Sequence, residues 1–108
     1  MHDRPKESDW KAFRAMVPEL RERYLCARNE ELRSILNDSA RSPTERFWDV
    51  EERTQAIAEI LRDCLDGHSR SKMELFIMVM FNHGMMTADD LDAFSSEIRE
   101  QALRRSTL

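Results

Sequence analysis

The chain has 108 residues, of which 35% are charged and 41% hydrophobic, with a formal net charge of −4 at pH 7. That length suits one domain that buries a core without disulfides or metal, and the apolar share excludes a disordered chain. The acidic balance gives no general attraction to phosphate backbones or anionic membranes, and no apolar stretch approaches the roughly 20 residues of a membrane span.

Only two glycines and three prolines occur. Sheets and hairpins use these residues in their turns, so their scarcity points to long helices. The expectation is an all-α, single-domain bundle of about four helices. Residues 1–7 read as a flexible polar tail and 8–108 as the helical domain. The opening MHDRPKESDW has no apolar run and does not read as a signal peptide, so a cytoplasmic location is expected.

In chain order, Ser8 is placed to cap the first helix. Trp10, Phe13, Val17, Leu20, Tyr24, Leu32, Ile35 and Leu36 recur at gaps that build one helical stripe. Pro18 interrupts it without shifting its phase, which favours one long, kinked helix over two short ones. After the turn-like NDSARSPT, Ser42-Pro43-Thr44-Glu45 is a capping box with proline at the first helical position. The second helix carries Phe47, Val50, Thr54, Ile57, Leu61 and Cys64 or Leu65 on one face, runs antiparallel to the first, and stops at Gly67. Ser71-Lys72-Met73-Glu74 is another capping box. The third helix, Met73 to Asn82, is closed by Gly84 and is apolar on every side, so it is expected to be buried all round. Thr87-Ala88-Asp89-Asp90 opens a fourth helix hairpinned to the third, with the stripe Leu91, Phe94, Ile98 and Ala102.

Five features bear on function. The stretch from Cys64 to Lys72 gathers a thiol, Asp66, His68, Arg70 and two serines around Gly67. Cys64, His68 and His83 are candidate zinc ligands, with Asp66 as a fourth, but the paired ligands of structural zinc sites are missing. The same loop, with Arg70 and Lys72 at a helix start, suits an anion, although it is no P-loop. The plainer account is a capped turn between two helices.

Glu52, Glu59, Asp63 and Asp66 form an acidic row opposite the apolar stripe of the second helix. Such a row suits a basic partner, and plain solvated surface is its commoner meaning. Trp48 lies off the stripe, near that row, and suits either an interface anchor or packing against the first helix or the preceding loop. Met73, Met78, Met80, Met85 and Met86 are either adaptable contact surface or core filler. An all-round apolar third helix is more than three others readily enclose, which leads to the expectation of a two-fold dimer.

Phe81 to Thr87, followed by Asp90-Leu91, has the outline of a helix-turn-helix. Its second helix opens with Asp89, Asp90 and Asp92, which DNA phosphates would repel, so nucleic-acid binding is disfavoured. Cys26 and Cys64 read as reduced thiols, with a disulfide left open. No nucleophile motif is present, so catalysis has little support and no cofactor is called for. The sequence thus points to a small interaction or regulatory protein acting through helix faces and self-associating. Trp48, Glu52, Glu59, Asp63, Asp66, His68 and Arg70 are its candidate binding residues. A ligand- or metal-binding protein, or enzyme, centred on residues 64–72 is the rival.

Overall fold

The computed structural model describes residues 6–106, with side chains to residue 105, and these residues form an all-α bundle. Its four α-helices are α1 (Glu7–Leu36), α2 (Pro43–Leu65), α3 (Met73–Asn82) and α4 (Ser96–Ser106). Short 3-10 turns, Arg70–Lys72 and Asp90–Ala93, precede α3 and α4. The molecule is elongated, 57 × 25 × 22 Å.

α1 is continuous across Pro18. An interior proline removes one backbone hydrogen bond and costs about 3 kcal/mol. Burial of Phe13, Leu20 and Tyr24 on either side outweighs that cost. The helix begins at Glu7 with Lys6 as its cap residue, so Ser8 is not the cap and the helix intrudes on the expected tail. Tertiary contacts accompany the start two residues earlier. Lys6 pairs with Glu97 at 3.2 Å, and Glu7 accepts from Arg70 at 2.6 Å. The rest of the expected tail, residues 1–5, lies outside the described residues.

The Ser42–Glu45 capping box forms as expected. The Glu45 N–H donates to the Ser42 hydroxyl at 3.1 Å, and the Ser42 N–H donates to the Glu45 carboxylate at 2.9 Å. Gly67 and Gly84 take φ of +82° and +77°, the left-handed conformation that closes a helix. After Gly84, the N–H groups of Met85 and Met86 both donate to the Met80 carbonyl, which turns the two methionines into the core.

Two expected helix starts are displaced. Ser71 falls inside the 3-10 turn with its hydroxyl beside that of Ser69, and Lys72 caps α3 without a side-chain bond. Thr87 and Asp90 do bond reciprocally, but they close only the turn Asp90–Ala93. Phe94 is then extended, and α4 starts at Ser96. Asp90 is drawn across to α1, where Arg23 donates to both its oxygens and also to the Met85 carbonyl. That competing anchor bends the chain before a helix can propagate. The expected stripe Leu91, Phe94, Ile98 and Ala102 is nevertheless buried, and all four belong to the one core cluster.

α3 is not buried all round. Met73, Phe76, Ile77 and Met80 are, but Leu75 is 51% exposed and Met78, Val79 and Phe81 are partly so. One face of this short helix meets solvent because α2 and α4 cover only the others.

The core lies at one end. Its buried α1 residues stop at Tyr24 and its buried α2 residues begin at Ile57, and no residue from 25 to 56 is buried. The outer halves of α1 and α2 therefore form a two-helix arm. Ion pairs hold it together, chiefly Arg53 forked onto Glu31 at 2.5 and 3.2 Å. Arg46 adds a 2.9 Å bond to the terminal Leu36 carbonyl, and Arg41 pairs with Asp49.

Asp9, in the first turn of α1, is 3% exposed. It accepts the Ser95 N–H at 2.8 Å and the Ser95 hydroxyl at 2.9 Å, at the start of α4, where the helix dipole favours a negative charge. Asp9→Ala strands those two donors and is expected to destabilise the fold by about 2 kcal/mol in urea unfolding, with Ser95→Ala milder.

Burial alone would raise the Asp90 carboxyl, but hydrogen bonds from Arg23 and Thr87 outweigh it and hold the group below its ordinary 3.8. A carboxylate depressed in the folded state adds stability that is present above the unfolded value and lost as pH falls through the folded one. The urea midpoint is expected to drop as pH falls below about 4, and less steeply in Arg23→Ala.

Candidate functional site

The turn between α2 and α3 is a packed joint. His68 sits edge-on between Phe13, with centroids 4.9 Å apart, and Phe76, at 4.5 Å. Its Nε2 is 2.7 Å from the Cys64 carbonyl oxygen. A carbonyl only accepts, so Nε2 carries the proton and donates, closing the end of α2. The Cys64 thiol is fully buried, and burial, with Asp63 nearby, pushes it up to about 11. A thiol in that state is a poor nucleophile and a poor metal ligand.

His83 is exposed at the far end of α3, away from both. Among the described residues no three His, Cys, Asp or Glu side chains group as metal ligands do, so Cys64, His68 and His83 are not brought together as a site. Asp66 is exposed at the end of α2. Arg70 reaches back to Glu7 and ties the turn to α1. An open groove of about 410 Å³ runs beside the turn, lined by Trp10, Arg14, Val17, Pro18 and His68. Cys26 is exposed and Cys64 buried, and both are free.

The helix-turn-helix outline is not realised, since a 3-10 turn and an extended Phe94 stand where a recognition helix would begin. Four of the five methionines, Met73, Met80, Met85 and Met86, are in the core and Met78 is half-buried, so this cluster is core filler.

The outer arm is different in kind. Trp48 is 59% exposed and Phe47 58%, and their rings meet edge to face at 4.9 Å. Phe47 stands on the stripe that continues into Ile57 and Leu61, so its spacing alone assigns it to the core. It is exposed because α3 and α4 do not extend along the arm. Phe47 lines an open groove of about 290 Å³ with Leu36, Val50, Glu51, Thr54 and Gln55, and Leu36 is itself 51% exposed. Helical spacing set Trp48 off the core stripe and left open whether it packs on α1 or the preceding loop, and the structure leaves it exposed. The spacing missed Leu36 and Phe47, whose exposure depends on where other helices end.

Glu52, Glu59 and Asp63 are exposed along α2 on the side that carries Trp48, with Asp66 just beyond. Trp48 and the acidic row thus share one side of α2, which runs from the arm to the joint where His68 and Arg70 are packed.

His68→Ala removes a helix-end bond and two ring contacts. It is expected to lower stability by about 1 to 2 kcal/mol in urea unfolding, and zinc is expected to leave the melting temperature of wild type and variant unchanged. A zinc-induced rise in wild type that is lost in His68→Ala would restore the metal reading.

No protein-family model, curated protein or solved structure matches this chain.

Proposed function

We propose that this is a helical interaction or regulatory protein of the cytoplasm, working through contacts between helix faces. The outer end of the α1–α2 arm is its contact surface. One observation carries the reading: Leu36, Phe47 and Trp48 are each more than half exposed on an arm in which no residue is buried. Single exposed apolar residues are ordinary, whereas a contiguous aromatic pair beside an apolar groove marks a place where another molecule packs. Among the described residues no helix is long and apolar enough to cross a membrane.

Self-association is proposed with it. Leu75 on α3 and Leu103 on α4 are exposed at the other end of the molecule and offer a second copy an apolar contact. The rival ligand-binding reading rests on the groove beside His68, and the His68 experiment above addresses it.

The test compares tagged wild type with Phe47→Ala/Trp48→Ala, purified in parallel from the source cells. The double variant is expected to unfold within about 0.5 kcal/mol of wild type, because both side chains are largely exposed. It is expected to lose a protein that wild type retains, and with that protein purified its Kd should rise at least about tenfold. Identical retained proteins and equal affinities would sink the proposal.

A further inference from the structure

We infer that the arm's partner is a basic amphipathic helix of another protein. Its apolar side rests on Phe47 and Trp48, and its lysines or arginines lie against the carboxylates of α2. The inference rests on the interaction reading and names the partner's chemistry.

Positions 48, 52, 59 and 63 are spaced by four or seven residues, which places them on one side of a helix. From Trp48 to Asp63 that side is about 22 Å long. No hydrogen bond or ion pair engages the side chains of Glu52, Glu59, Asp63 or Asp66 among the described residues. Acids of the arm outside this row contrast with them. Asp49 is held by Arg41, Glu31 by Arg53, and Glu45 by the capping box. The uncompensated charge therefore runs along the side of α2 that begins at Trp48, with Glu52 one turn from the aromatic pair and the other three farther along. Arg62, exposed next to the row, offsets one of the four charges and leaves three.

Charge decides among the occupants. A second copy seated here would bring a second acidic row against the first, and nucleic acid or an anionic membrane would be repelled in the same way. A cationic partner relieves the repulsion between Glu59 and Asp63, which stand four apart. The aromatic pair supplies the anchor that charges alone do not, and helix-on-helix docking reads such anchors at intervals of three, four and seven residues.

The test is fluorescence anisotropy with a labelled synthetic amphipathic peptide of leucine and lysine, alongside a leucine and glutamate peptide of the same pattern. Wild type is expected to bind the lysine peptide only, less tightly as salt is added. Trp48→Ala and Glu59→Lys should each raise Kd about tenfold, while Glu100→Lys, an equal charge change on α4, should alter it less than about twofold. Equal weakening by Glu59→Lys and Glu100→Lys would reduce the effect to net charge and overturn the inference. If the peptide does not bind, but wild type sediments as a dimer that Trp48→Ala dissociates, this inference fails and the interaction reading survives. If neither binding nor sedimentation responds to Trp48→Ala, both fail.

Discussion

A buried carboxylate in the first turn of α1 fixes the arrangement of the molecule. Asp9 receives both the N–H and the hydroxyl of Ser95, so the start of α4 is tied to the start of α1. A charge that far from water is tolerable only with such partners. The neighbouring links reinforce it: Glu7 with Arg70, Lys6 with Glu97, and Arg23 with Asp90. All of them attach to α1 between its cap residue Lys6 and Arg23. The short α3 and α4 are therefore held against that stretch and leave the rest of α1 to α2 alone.

From this follows the division between a base and an arm. In the base, apolar side chains from all four helices bury one another, and His68 fills the joint between Phe13 and Phe76. In the arm, two helices have no third to cover them, and cohesion passes to exposed and half-exposed ion pairs, each worth little by itself. The stripe of α2 changes meaning along its length. Ile57 and Cys64 are core, while Phe47, in the same register, faces solvent. The aromatic pair sits where the bundle runs out of helices, and the acidic row leads from it along the outer side of α2 toward the joint, so the proposed contact surface follows that side of α2.

The local signals that held were those with no tertiary competitor. The Ser42–Glu45 box is exposed, and its other partner, Arg41, pairs with the second Glu45 oxygen at 3.6 Å and leaves the box intact. Gly67 and Gly84 close their helices because the left-handed conformation is open to glycine at little cost. Where a competitor existed, the local signal lost. Thr87 and Asp90 have the spacing of a helix start, yet Arg23 holds Asp90 against α1 and the chain bends through Phe94. Ser71 has the same spacing and is absorbed into a 3-10 turn. Asp9 carried no readable signal, since a carboxylate one turn into a helix looks like ordinary dipole compensation.

The sequence by itself determined that the chain is helical, where α2 begins and where α2 and α3 end, and which residues of the last segment are core. These depend on spacing, on glycine and proline, and on caps, all of which act within a few residues. It also set Trp48 and the acids on one side of α2, because helical geometry alone fixes that. The tertiary structure decided which apolar residues remain outside. Phe47, Leu36 and Leu75 are indistinguishable from core positions by pattern, and their exposure is a matter of how far α3 and α4 reach and which faces they cover. It decided likewise that His68 and Arg70 serve the joint, since their partners, Phe13, Phe76 and Glu7, are brought to them from distant parts of the chain only by folding.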